Sequence, residues 1–317
     1  MSETTVNASV PAEGSGGYTI AAGSWAAWCI ALRPRTFWIA TIPMVVSSAL
    51  AIAKTHSFHI GTALLALLAS LLLQAITNLQ NDVGYTTRGA ETGRRIGLSR
   101  ATANGWLAPA QVRTAIAIAV IVTLLVGAPI IVRAGWPAAA MGGASILAAI
   151  GYMGGPRPIA FTPLGELTVF VFFGLIAVLG SYYVQTGSVS SGAILAAVAV
   201  GALAAALLVV NNHRDRTHDA DTGRRTFVVT FGAAASRSLF AALLLIAYAA
   251  APVLAIDERS PWLALPLLTL PLALALWRDF VRTAPGPVWN ALLFRTVKLE
   301  LAYGVLLAAG ALVAAPH

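Results

Sequence analysis

The 317-residue chain is 58% hydrophobic and only 10% charged, with a mean hydropathy of +0.80. So little polar surface excludes a soluble domain and places the chain in a bilayer. The formal charge of +8 does not mark a nucleic-acid binder, because the arginines flank apolar segments and form no single basic face.

Residues 1–23 are small and polar, lack the basic-then-apolar order of a signal peptide, and read as a disordered tail ahead of one membrane domain over 24–317. Trp25, Trp28, Cys29 and Leu32 then recur at helical spacing before Arg33 and Arg35. That pattern suits a short interfacial helix or an extension of the first span. Cys29 is the single cysteine, so there is no disulfide framework and no thiolate zinc site. Apolar runs able to cross about 30 Å of hydrocarbon follow at 36–54, 61–80, 110–132, 137–153, 164–184, 191–212, 236–255, 262–277 and 290–314. The expected fold is an all-α integral membrane protein of nine transmembrane helices.

Loop charge supports that count. With a cytoplasmic N-terminus, 17 of the 20 basic residues fall on the inside and only Lys54, Arg133 and Arg259 on the outside. One missed span would invert every later loop and destroy the asymmetry. The C-terminus is then expected outside.

Two polar clusters interrupt the apolar pattern, NLQND at 78–82 and NNHRDRTHD at 211–219, each at the inner end of a span. The chain has only 12 acidic residues, and Asp82, Asp215 and Asp219 are among those in the clusters. Asn78, Asn81 and Asp82 share one helix face. Asn211, Asp215 and Asp219 form a second stripe, with Asn212 beside it. Ionisable groups at membrane depth are costly and usually functional, and two such oxygen stripes suit a hard cation such as Mg2+. Arg88, Arg94, Arg95 and Arg100 follow the first cluster and Arg224 and Arg225 the second, in the right place to grip a diphosphate. A lone Asn at a helix end is often only a cap, and cytoplasmic arginines are demanded by topology alone. A secondary transporter is the rival reading from another class, but its polar sites usually lie near the bilayer midplane on broken helices.

Several stretches resemble the UbiA superfamily of intramembrane prenyltransferases, most closely its menaquinone branch, which prenylates 1,4-dihydroxy-2-naphthoate. They are ALRPRTF at 31–37, TNLQNDVGYTTRGAE from Thr77, RRIGLSR at 94–100, GYMGGPRPIAFTPLGELTVFVFFG at 151–174 and NNHRDRTHDADTGRRTFVVTFG at 211–232. The resemblance implies nine helices around a central cavity open to the cytoplasmic side, in a bacterial cytoplasmic membrane. It implies catalytic roles for Asp82, Asp215 and Asp219, and Mg2+ and polyprenyl diphosphate held by Asn78, Asp82, Asn212, Asp215 and Asp219. Substrate contacts are expected from Asn81, Tyr85, Arg94, Arg100, Arg157, Arg214 and Arg224, with Arg157 a candidate for the carboxylate of an aromatic acid acceptor. Other acceptors stay open: a hydroxybenzoate, a homogentisate or a quinolone. The family's first motif reads Asn-Asp-x-x-Asp, and here Tyr85 stands in place of the second acid. Aromatic faces can stabilise an allylic cation, and Tyr152, Phe161, Phe172, Phe173, Tyr182 and Tyr183 are the candidates.

Overall fold

A computed structural model describes residues 20–55, 58–91, 99–284 and 286–315. The expected tail therefore lies outside the described residues up to position 19. Among the described residues the fold is all helical. Ten helices follow one another: α1 (Trp25–Leu32), α2 (Phe37–Lys54), α3 (Ile60–Thr87), α4 (Pro109–Ala134), α5 (Trp136–Gly151), α6 (Gly165–Thr186), α7 (Ser191–Asp221), α8 (Phe227–Asp257), α9 (Pro261–Arg282) and α10 (Val288–Val313). A helix stands at each of the nine expected spans. Eight stretches, with α1–α2 counted as one, are long and apolar enough to cross a membrane; α5, at 16 residues, is shorter.

The tryptophan-rich start is a helix of its own. Ser24 caps α1 by accepting from the Ala27 amide at 3.3 Å. Arg33 adopts φ 52°, a left-handed conformation that ends a helix, and Pro34 opens the 3-10 turn into α2. Trp25 is left exposed, as an interfacial ring would be.

α7 is the buried axis, with 78% of its apolar window inside the bundle. Its packing face is built from Ala196, Ala197, Ala199, Val200, Gly201, Ala202, Ala204, Ala205 and Ala206. Lipid supplies no hydrophobic drive between helices, so small residues that let backbones approach closely hold such interfaces together. One such close approach is between α7 and α6, where a Cβ on Gly201 would lie 2.7 Å from the Phe170 carbonyl oxygen and 2.9 Å from the Gly174 Cα. Over this stretch α6 is wound as a π-helix, Phe170–Leu179.

Two helices outrun their apolar runs. α3 continues to Thr87 and α7 to Asp221, so both polar clusters ride on unbroken helix. α8 begins at Phe227, well before the apolar run at 236, and breaks at Gly232 with φ 87°. Its first turn is thus a separate short helical piece ahead of the longer helix.

Replacing Gly201 with alanine should lower the thermal midpoint of the detergent-solubilised protein by an amount equivalent to about 1–3 kcal/mol, the usual cost of overpacking. An unchanged midpoint would show that the α6–α7 contact has slack.

Candidate active site

The first cluster sits within the last three turns of α3. Asn78 is buried; its amide donates to the Leu32 carbonyl at 2.7 Å and Thr36 Oγ1 at 2.8 Å, and accepts from Gln74 at 3.1 Å. It thereby pins the α1–α2 corner. Asp82 is fully buried, and its carboxylate accepts from the backbone amides of Ala101 and Thr102, each at 2.9 Å, and from Thr102 Oγ1 at 2.7 Å. The oxygens expected to ligate a cation anchor the segment ahead of α4. Asn81 is half-buried on the adjoining face.

Tyr85 lies one turn beyond Asp82. The Arg100 guanidinium stands over its ring at 3.9 Å from the centroid and that of Arg224 at 4.9 Å. Arg100 also approaches Glu91 at 3.8 Å. Where an acid was expected, an aromatic face receives two cations.

The second cluster occupies the end of α7. Arg214 forks onto the Asp215 carboxylate at 2.8 and 2.7 Å and donates to Asn211 at 2.9 Å and Asn290 of α10 at 3.0 Å. Asp219, fully buried, pairs with Arg224, which also donates to the Ala160 carbonyl at 3.3 Å. Asn212 donates to Glu166 of α6 at 2.9 Å.

Beside these clusters opens a cavity of about 1180 Å3. Its polar end carries Arg33, Arg35, Gln74, Asn78, Asn81, Asn211, Arg214 and Asn290, and its apolar walls include Met44, Leu73, Ile146, Phe172, Phe173, Ile176 and Leu207. Asp82, Asp215 and Asp219 lie behind this wall. Tyr152 joins the two layers: it lines the cavity and lies within electrostatic range of Arg224, Glu166, Tyr85 and Asp219.

Among the expected site residues, Asn78, Asn81 and Arg214 reach the cavity surface. Asn212, Asp215, Asp219, Arg224, Tyr85, Arg100 and Asp82 form the buried layer. Arg157 is exposed and lines no part of the cavity, and Arg94 lies outside the described residues. Of the expected aromatics, Tyr152, Phe172 and Phe173 line the cavity, while Phe161, Tyr182 and Tyr183 do not. Gln74, Glu166 and Asn290 were not singled out from sequence, although Glu166 carries the same signal as the aspartates, an acid at the edge of an apolar run. Arg33 and Arg35 lay in a noted stretch without an assigned role.

Among the described residues no three His, Cys, Asp or Glu side chains converge as a metal site. The donor chemistry nevertheless fits Mg2+. Asn212 Oδ1, Glu166 Oε2 and Asp219 Oδ2 are buried and accept no hydrogen bond, and all three are hard oxygens of the kind that ion prefers.

The apolar chamber, with amides and guanidiniums at its polar end, lies within a bundle of helices long and apolar enough to cross a membrane. Residues 40–299 match the model of the UbiA prenyltransferase family, and the chain belongs to that family. It is 35% identical over 293 residues to the 1,4-dihydroxy-2-naphthoate octaprenyltransferase of Escherichia coli K12, covering 90% of this chain and 94% of that one. Identity to the enzyme of the same name from Mycobacterium tuberculosis is 36% over 271 residues, 84% of this chain and 87% of the relative. Among solved structures, an apo UbiA homolog from Aeropyrum pernix K1 superposes with a TM-score of 0.65 at 16% identity, over 87% of this chain and 97% of that one. A UbiA homolog from Archaeoglobus fulgidus bound to DMAPP and Mg2+ gives 0.62 at 15% identity, over 89% and 99%. These two likenesses establish the shared fold.

Two stability predictions follow from the buried layer. Asp82→Asn places an NH2 group against backbone donors and should lower the thermal midpoint by the equivalent of about 1–3 kcal/mol. Tyr85→Leu should lower it by about 1–2 kcal/mol, since it removes the aromatic face over which two guanidiniums stand. Equal midpoints for both variants and the parent would contradict both assignments.

Proposed function

We propose that the chain transfers a polyprenyl group from a polyprenyl diphosphate to 1,4-dihydroxy-2-naphthoate with loss of CO2, a step of menaquinone biosynthesis. The observation that carries this reading is the cavity itself. Residues of both motifs, Asn78, Asn81, Asn211 and Arg214, meet at one end of a long apolar chamber. A diphosphate head fits the polar end and the prenyl tail fits the walls of Phe172, Phe173, Ile176 and Leu207.

In the reaction the allylic C–O bond breaks and its electron pair leaves with the diphosphate. Arg214, with Arg100 and Arg224 behind it, stabilises that negative charge. Mg2+ held by Asn212, Asp215 and Asp219 would neutralise the same leaving group. The apolar walls keep water from the allylic cation, and the faces of Tyr152, Phe172 and Phe173 lower its energy. The electron-rich carbon bearing the acceptor's carboxylate attacks, and release of CO2 returns the ring's electron pair. Arg33 and Arg35, on the cavity surface, are better placed than the exposed Arg157 to hold that carboxylate before attack. Asn78 and Asp82 act in this reading by fixing the cavity wall and the segment ahead of α4.

The loop-charge asymmetry supports nine crossings, a cytoplasmic N-terminus and an external C-terminus in a bacterial cytoplasmic membrane. The polar end of the cavity then faces the cytoplasm, where a charged aromatic acid is available, while the tail enters from lipid.

Purified protein given a polyprenyl diphosphate, Mg2+ and carboxyl-labelled 1,4-dihydroxy-2-naphthoate should form prenylated naphthoquinol and release labelled CO2. Chelation should abolish turnover and Mg2+ restore it. Asp215→Asn and Asp219→Asn should each lose about a hundredfold or more in kcat, the scale on which leaving-group stabilisers act. Consumption of a hydroxybenzoate or homogentisate with the naphthoate untouched would overturn the acceptor. Undiminished turnover in chelator would overturn the role of Mg2+.

A further inference from the structure

Glu166 belongs to neither polar motif. It sits in the first turn of α6, only 6% exposed, against the end of α7. Its Oε1 accepts from Asn212 Nδ2 at 2.9 Å, while its Oε2 accepts nothing, and the same is true of Asn212 Oδ1 and Asp219 Oδ2. A buried acceptor left without a donor costs about 1–3 kcal/mol, more when charged. Such groups are few in folded proteins, and each needs an explanation.

The bond to Asn212 has a directional consequence. An amide offers an oxygen on one side and an NH2 on the other, whereas an ionised carboxylate can only accept. Glu166 therefore draws the NH2 towards itself and turns Oδ1 away with its lone pairs open. A glutamine at 166 could donate to Oδ1 instead and would lose this sorting. Asp219 follows Asn212 by two turns along the same face of α7, and Glu166 lies within electrostatic range of both Asp219 and Arg224. Glu166 and Asp219 are two carboxylates near one guanidinium, Arg224, with the His218 ring nitrogen 3.8 Å from Asp219, and the open atoms are hard oxygens from two different helices. What meets all of those demands at once is a small divalent cation.

We propose that Glu166 is the α6 member of the cation site: it orients Asn212 so that Oδ1 faces the ion, and it offers Oε2 as a further oxygen. This rests on the reading of the chain as a Mg2+-dependent prenyltransferase. It extends the cation site from α7 to α6, so the ion would fasten α6, one wall of the prenyl cavity, to α7. Substrate affinity and metal occupancy would be linked through that contact.

The test is binding of Mn2+, as a spectroscopic stand-in for Mg2+, followed by electron paramagnetic resonance of the free ion over detergent-solubilised full-length protein. The parent should bind Mn2+ competitively with Mg2+, and Mg2+ should raise its thermal midpoint. Glu166→Gln should weaken Mn2+ binding about tenfold or more and abolish the Mg2+-induced rise, with a metal-free midpoint no lower than the parent's. If that variant does not fold, Glu166→Asp keeps the charge with a shorter reach and should still bind Mn2+ more weakly than the parent. Parent-like Mn2+ binding by Glu166→Gln, alongside loss of binding in Asp219→Asn, would overturn the role of Glu166 and leave the cation site intact. No Mn2+ binding by the parent would overturn the cation reading and this inference with it.

Discussion

Arg224 is a buried guanidinium, 3% exposed, and its demand for partners organises the inner end of the bundle. An unpaired charge in such a place costs several kcal/mol, and a guanidinium's donors and flat faces can be satisfied from several directions. Arg224 uses this breadth: it pairs with Asp219 of α7, donates to Ala160 ahead of α6, and lies over Tyr85 of α3 and, at 5.9 Å, over Phe161. One side chain thus ties together three parts of the fold that are far apart in sequence. Arg100 also stands over Tyr85 and approaches Glu91.

The outcome is a site in two layers. The cavity surface is made largely of amides, which offer hydrogen bonds without carrying charge into an apolar chamber. The ionised groups stand behind it, mostly paired with one another. This division suits a chamber that must admit a hydrocarbon chain and yet respond to a diphosphate. Charge lining the whole wall would draw in water, and water is the competitor for an allylic cation. Arg33, Arg35 and Arg214 are the exceptions on that surface, and Arg214 reaches it while forked onto Asp215. An anion that recruits Arg214 from the cavity side competes with Asp215 for the same donors, which couples the head of the substrate to the carboxylate behind it.

Much of the fold was legible because a bilayer imposes strict rules on run length. Helix ends were not, because an apolar run stops where lipid stops, whereas α3 and α7 continue as helix through both polar clusters. The depth of Asp215 and Asp219 followed from the cost of placing acids next to apolar runs. The part played by Asp82 did not, since its partners are backbone amides at 101 and 102 and no sequence pattern marks a backbone amide as a partner. Arg157 illustrates the opposite case. Its turn looked like a carboxylate holder, but the Gly154–Pro158 connection leaves it on the outside. Glu166 carries the same mark as the aspartates, an acid at the edge of an apolar run, but it stands alone in the sequence and forms no stripe.

Tyr85 gives the site its polarity. An aspartate at this position would neutralise the guanidiniums it met. A tyrosine ring attracts them through its quadrupole and leaves their charge intact. The α3 side of the site therefore presents guanidinium charge, with its one motif acid, Asp82, already satisfied by the backbone. The α6–α7 side presents carboxylate and amide oxygens that accept no donor. In the proposed reaction a diphosphate between them would meet arginines on one flank and metal-held oxygens on the other. In the same proposal, with one acid fewer on α3, the cation's ligands would come from the α7 flank, where Asn212 bonds to Glu166 and Asp219 lies within electrostatic range of it.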